Sequence, residues 1–217
     1  VEARGRSAHG SLPQLGDNAI LRMSQVLERL RAYRPAVRLL PEVRALLEEI
    51  CRQRGWPPPA EENLDELLRR IEPRPLAALL HALTRTTASP NVIRGGTKVN
   101  VVPDRCELEL DVRLLPGEEG QLERLREQLG VPLKVVSLSP PSRSPLGPFW
   151  HLIVEVVQEV VPGPPKVLPF ISSGATDSRF LRRAGIPAYG ISPLVFPDFD
   201  PELPARRRNR ESVAPEE

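Results

Sequence analysis

From Cys106 to Val112 apolar and charged residues alternate, with Cys106, Leu108, Leu110 and Val112 on one side and Glu107, Glu109 and Asp111 on the other. This two-residue period is that of an antiparallel strand with one buried face, predicted over about 105–115. Pro116-Gly117 ends it as a turn. A preceding strand is expected over about 90–102, and residues 1–8 read as a short strand entering a turn. Elsewhere the period lengthens. Ala19, Met23, Val26, Leu27 and Leu30 keep the spacing of a helix face from Asn18 to about Tyr33, with Asp17 as the expected N-cap and Pro35 as the stop. Further helical patterns run over 41–54 and 63–72, separated by Gly55-Trp-Pro-Pro-Pro59, and over Pro75 to Leu83. A helix is expected from about 119 to 129, closed by Gly130, followed by an apolar strand at Leu133 to Leu138.

With the helices of about 36–88 set aside as an insertion, residues 1–139 read βαββαβ. This is the ferredoxin-like split βαβ order, an antiparallel sheet with two helices on one face. After Pro140-Pro141 the pattern changes: helix at 148–161, strand at 166–171, helix at 176–184, strand at 186–192. This alternation belongs to an α/β layer. Two strands and two helices leave sheet edges and apolar faces open, so residues 140–203 are expected to be one end of a larger α/β domain. The fold class is therefore α/β with an α+β first domain. Residues 204–217, Arg-rich and then acidic, read as a disordered tail.

Composition narrows the function. A chain of 217 residues can bury about 70% of its unfolded surface and needs no staples. Its two cysteines, Cys51 and Cys106, make no disulfide framework and lack paired metal-ligand spacing, which fits a reducing cytoplasm. A net charge of +2 is no nucleic-acid footprint. No apolar run reaches the roughly 18 residues of a membrane helix, and the first 16 residues lack the apolar core of a signal peptide. The 26 prolines gather at joints, such as Pro57 to Pro59 and Pro162 to Pro165, and punctuate the chain. The first residue is Val, consistent with a chain that begins inside a longer reading frame or with a trimmed one.

Several residues stand out as chemistry. Asn100, between Val99 and Val101, is expected to be an amide among apolar neighbours that needs partners, the position of a ligand-facing residue. His9, at a strand end, has the bland reading of a surface imidazole. Arg113 has that of a strand-end arginine paired with Asp111 or Glu109. Gly95-Gly96 lacks phosphate-loop spacing and reads as a backbone device. Ser173-Gly-Ala-Thr176-Asp177 links a strand to a helix, so Thr176 could cap the helix or its loop could bind an anion. His81 and His151 lie in helical patterns and carry no proposed ligand role.

Taken together, Arg4-Gly-Arg-Ser-Ala-His9-Gly-Ser-Leu-Pro13-Gln-Leu-Gly16-Asp-Asn18, Gly95-Gly-Thr-Lys-Val-Asn-Val-Val-Pro103, Asp111-Val-Arg113 and Ser173-Gly-Ala-Thr176-Asp177 resemble the zinc aminoacylase and carboxypeptidase family. That family includes the acetylornithine deacetylases and succinyl-diaminopimelate desuccinylases. The four motifs occur in the family's order. The resemblance implies a lid, or dimerisation, domain followed by the C-terminal part of a catalytic domain. It implies a homodimer in which His9 reaches into the neighbour's active site as a catalytic residue. Asn100, Arg113, Gly174 and Thr176 would contact substrate, a small peptide or an N-acyl amino acid. Zinc would belong to the full-length parent. The family's His-x-Asp motif is absent from this sequence, and Arg207 stands where the family's last histidine ligand is expected, so no zinc is expected on this chain alone. Two expectations follow: an inactive portion of a zinc-dependent amidohydrolase or peptidase, or a non-catalytic dimerisation module or pseudoenzyme that binds a carboxylate.

Overall fold

The computed structural model describes residues 1–161, 163, 166–174 and 176–191. Its elements are β1 (Glu2–Arg4), β2 (Ala8–His9), α1 (Ala19–Ala32), α2 (Pro41–Arg54), α3 (Leu64–Arg70), α4 (Arg74–Ala82), β3 (Thr87–Gly95), β4 (Val101–Val102), β5 (Arg105–Arg113), α5 (Gln121–Leu129), α6 (Pro148–Val160) and α7 (Ser178–Arg183).

β5 is the central strand of an antiparallel sheet, flanked by β1 and β3. Its alternation has the expected consequence: Cys106 and Leu108 are buried and Glu109 is exposed. The buried side joins Ala3, Met23, Val26 and Leu30 with Leu125 and Leu129 in one apolar cluster, so α1 and α5 cover one face of the sheet. Full burial of each large side chain there contributes roughly 1.5–3 kcal/mol. The first–third–second strand order is that of a ferredoxin-like sheet.

The fourth strand expected at Leu133–Leu138 does not form. Val131 and Leu133 pack against the lid cluster, while Val135, Val136 and Leu138 are exposed. A strand is held by its ladder, and the edge available to it, β1, is only three residues long. The strand expected over 90–102 is split: β3 ends at Gly95, Gly96 takes a left-handed φ of 74°, and the chain turns before β4. β4 pairs with β2 instead, in a separate two-stranded sheet. Asn18, not Asp17, caps α1, its Oδ1 accepting from the amides of Ile20 at 2.9 Å and Leu21 at 3.4 Å. Asp17 is taken up by Arg22 and held below the usual carboxylate range by that hydrogen bond.

The helical insertion makes a second core. Val43, Leu47, Leu64, Leu68, Ile71, Leu80 and Leu83 pack together, joined by Leu115 from the lid. α2 begins with Pro41 in its first turn and ends at Gly55, whose φ of 63° suits the left-handed stop.

The C-terminal segment departs furthest from expectation. α6 and α7 form, but residues 166–171 and 186–191 carry no ladder, and no residue of α6 is buried. Leu168 and Ile171 pack on the insertion core, and Tyr189 stacks at a tilt on Phe149 and Trp150 with ring centroids 5.6 and 6.0 Å away. Strands at the edge of an α/β layer need neighbouring strands, and the described residues supply none. Residue 192 and the expected tail at 204–217 lie outside the described residues.

Candidate functional site

His9 stands at the tip of the lid because β2 and β4 pair as Ala8↔Val102 and His9↔Val101. The backbone of Gly10 extends the pairing by donating to the Asn100 carbonyl at 2.7 Å, and Ser7 Oγ donates to the Val102 carbonyl at 3.0 Å. The two backbones approach so closely that a Cβ at Gly10 would lie 3.0 Å from the Asn100 carbonyl carbon. His9 and Asn100, 91 positions apart in sequence, are thus neighbours at one exposed tip.

The imidazole of His9 is oriented by its own turn. Its Nδ1 accepts the Ser11 amide N–H at 3.2 Å and lies 2.7 Å from Ser11 Oγ. An amide can only donate, so Nδ1 is the acceptor and the neutral ring carries its proton on Nε2. That N–H is the free end of the ring, available to a carbonyl oxygen or a developing oxyanion. Ser11 is a member of this site that the sequence motifs do not single out, although a polar residue after His-Gly is the available signal for such a turn.

Asn100 does not lie among apolar side chains. It sits in the turn before β4 and is exposed, as is Val99. The left-handed Gly96 sends this stretch outward, and strand alternation therefore does not apply to it. Two shallow grooves flank the tip. One of about 490 Å³ passes Gly10, Asn18, Gly96, Lys98 and Pro103; the other, about 360 Å³, is edged by Arg94, Arg105 and Glu107. Neither is lined by His9 or Asn100, both of which are exposed.

Arg113 stands elsewhere. Gly95 pairs with Cys106 at the tip end of β5, and Thr87 pairs with Arg113 at the other. Seven steps of about 3.4 Å separate Cys106 from Arg113, roughly 24 Å. One small ligand cannot touch His9 and Arg113 of the same chain. Arg113 is ion-paired with Asp111, Nε lying 2.7 Å from Oδ1 and Nη2 donating a hydrogen bond to Oδ2 at 2.8 Å. Gly174 and Thr176 belong to a third place, just after Ile171. The Gly174 amide donates to Ser172 Oγ at 3.1 Å, and the Thr176 carbonyl accepts from the Arg179 amide at 3.1 Å. The N-cap of α7 is Asp177, with no side-chain capping bond, so Thr176 does not cap this helix.

Among the described residues no three His, Cys, Asp or Glu side chains converge as a metal site, so these residues do not fit zinc. No described helix is long and apolar enough to cross a membrane.

The peptidase dimerisation domain of the M20 group matches residues 1–134. Two relatives are the N-fatty-acyl-amino acid synthase/hydrolase PM20D1 of Homo sapiens, 30% identical over 127 residues, and the acetylornithine deacetylase of Myxococcus xanthus, 28% identical over 134. The alignments cover 54% and 59% of this chain but 25% and 26% of those proteins, so the chain spans about a quarter of the length of its curated relatives. Among solved structures, the M20 family metallo-carboxypeptidase Sso-CP2 of Sulfolobus solfataricus superposes with a TM-score of 0.53 at 20% identity, covering 85% of this chain and 54% of that one. A tripeptidase of Staphylococcus aureus gives 0.52 at 17% identity, covering 86% and 40%. These likenesses concern the fold. With its dimerisation domain matched over residues 1–134 and four motifs in family order, the chain belongs to the M20 family of zinc aminoacylases and peptidases.

Proposed function

We propose that this chain is the lid and C-terminal portion of a zinc-dependent amidohydrolase that cleaves the amide bond of small peptides or N-acyl amino acids. The observation that carries this reading is His9: a ring fixed by Ser11, exposed at the end of the β2–β4 pair, its Nε2–H without a hydrogen bond among the described residues. A donor so placed is available to a group held by another surface. In a homodimer that surface is the neighbour's site, where Nε2–H would hydrogen-bond the scissile carbonyl oxygen as charge develops on it. Removing such a donor typically reduces turnover by about 10²–10³-fold. Asn100 would assist from the same tip. Arg113, Gly174 and Thr176 would hold substrate polar groups in a different place, since the length of β5 parts Arg113 from His9. The chain by itself would be inactive, and zinc would be held by the full-length parent.

The dimer would form through the outer edge of β3. Nine residues long, with Val92 and Ile93 exposed and no strand on its far side among the described residues, it is the longer of the sheet's two edges. Cytoplasmic residence is supported by Cys51 and Cys106, both buried and free.

A second reading, a non-catalytic dimerisation module or pseudoenzyme, is favoured by one observation: Arg207 where a ligand histidine is expected. Elemental analysis for zinc, with the solution mass of the purified chain, tests the first reading. A dimer free of stoichiometric zinc is expected. One tightly held zinc per chain, or a strict monomer, would overturn it. The two readings part upstream of Val1 in the gene, where an in-frame segment encoding the family's His-x-Asp motif supports the enzyme and its absence the module.

A further inference from the structure

Two carboxylates sit on the side of α2 where its pattern calls for apolar residues. Glu42 and Glu49 are only 7% and 5% exposed. Seven residues apart, they lie two turns from one another on the same side of the helix, alongside the buried Val43, Leu46 and Ile50. A carboxylate withdrawn from water is tolerated when it is paired and hydrogen-bonded. Each of these two takes a cation from more than a hundred residues away. Arg143 Nη1 lies 3.4 Å from Glu42 Oε1, and the Lys166 ammonium bonds Glu49 Oε2. Among the described residues Glu42 has no second partner, and its Oε2 is buried without a hydrogen bond. Glu49 also receives Arg52 at 2.6 and 2.9 Å and Gln53 at 2.9 Å.

The stretch that starts at Lys166 is fastened a second way, by Leu168 and Ile171 on the insertion core. Ile171 is followed directly by Ser172, Ser173 and Gly174. Residues 166–171 have no ladder of their own, so these contacts take the place of a sheet in fixing the segment.

We propose that α2 is a two-point clamp: Glu42 and Glu49 act as positioning residues that hold Arg143, Lys166 and the segment after them against the insertion, and so set the place of Gly174. That Gly174 is a substrate contact rests on the proposed function; the clamp does not.

Limited proteolysis of the full 217-residue chain by chymotrypsin, with cleavage sites read by mass spectrometry, tests it, comparing wild type with Lys166→Met, Arg143→Met, the double variant and Lys166→Arg. Both cations are exposed, at 58% and 50% of their side chains, so neither truncation removes a core side chain. In Lys166→Met, cleavage after Phe170 should be about tenfold faster, and faster still in the double variant, while in Lys166→Met cleavage within β5 and α2 keeps its wild-type rate. Lys166→Arg should restore the protection. Unchanged cleavage after Phe170, or an equal rise within α2 in Lys166→Met, would overturn the clamp, the latter because the charges would then be holding only their own helix. Because proteolysis is read without substrate or metal, its outcome judges the clamp alone; the zinc and mass measurements judge the enzyme reading.

Discussion

α1 and α6 are nearly equal in length, 14 and 13 residues, and α6 is the more apolar. Yet α1 buries Ala19, Met23, Val26 and Leu30, and α6 buries nothing, leaving Phe149, Leu152, Val156 and Val160 at 48–71% exposure. Amphipathic spacing makes a helix, and a facing layer makes it part of a core. α1 has the sheet of β1, β5 and β3 beneath it, whereas the described residues after 140 form no strand for α6 to lie on. An exposed apolar stripe of this kind marks a surface made to be covered.

The largest effect that would break this comparison comes from truncating matched residues. Met23→Ala or Leu125→Ala should destabilise the chain by about 2–5 kcal/mol, since both are fully buried. Leu152→Ala or Val156→Ala should change it by no more than about 0.5 kcal/mol. Urea denaturation followed by circular dichroism distinguishes them, and an equal loss in both pairs would mean that α6 is packed in solution.

Acid should separate the lid from the insertion. In the insertion, bonds from Arg52, Lys166 and Gln53 hold Glu49 well below the usual carboxylate range, and a bond from Arg85 lowers Asp65. Depressed carboxylates add stability above their unfolded values, 4.5 and 3.8, and lose it as pH falls through and below them. His81 is also depressed, chiefly by burial and then by the Arg85 cation, so its folded form prefers to be neutral. Its contribution is complete above 6.5 and declines below that. All three shifts act in one direction. Trp56 fluorescence, in a Trp150→Phe background, should report loss of the insertion at a higher pH than circular dichroism reports loss of the lid. Coincident transitions would show one cooperative unit.

Smaller changes sharpen the picture of the tip. Gly10→Ala places a methyl against the Asn100 backbone and should cost about 1–3 kcal/mol, with His9 and Val101 resonances shifted in an NMR spectrum. Asn18→Ala removes the cap of α1 at about 1 kcal/mol, read as a lower melting temperature, whereas Asp17→Ala breaks an exposed pair and should lower it less. Smallest of all, Arg113→Met should leave stability within about 1 kcal/mol of wild type, because its partner is another exposed side chain. A larger loss there would tie Arg113 to the fold rather than to a ligand.

Local pattern is enough to read α2 within its observed bounds, the stop at Gly130 and the strand alternation of β5, because propensity, capping and period depend on near neighbours. The cap of α1 falls one residue beyond the expected Asp17 because Asp17 and Asn18 are both good caps, and Arg22, one turn on, takes the aspartate. The segments at 133–138, 166–171 and 186–192 are apolar enough to be expected as strands, but a strand exists only through its ladder. The pairing of Glu42 with Arg143 and of Glu49 with Lys166 carries no signal in the sequence for a related reason, since these partners are more than a hundred residues distant.

The amino-acid sequence by itself determined the first five elements of the expected ferredoxin-like order, the helical character of the insertion, and the motifs that place the chain in its family. All are periods or spacings that local sterics and burial preference impose. Tertiary structure alone decided that His9 meets Asn100, that Arg113 stands at the other end of β5 from that tip, and that α2 fastens the segment before Gly174. Those are long-range contacts, and they follow from strand register, chain reversal and the pairing of buried charges.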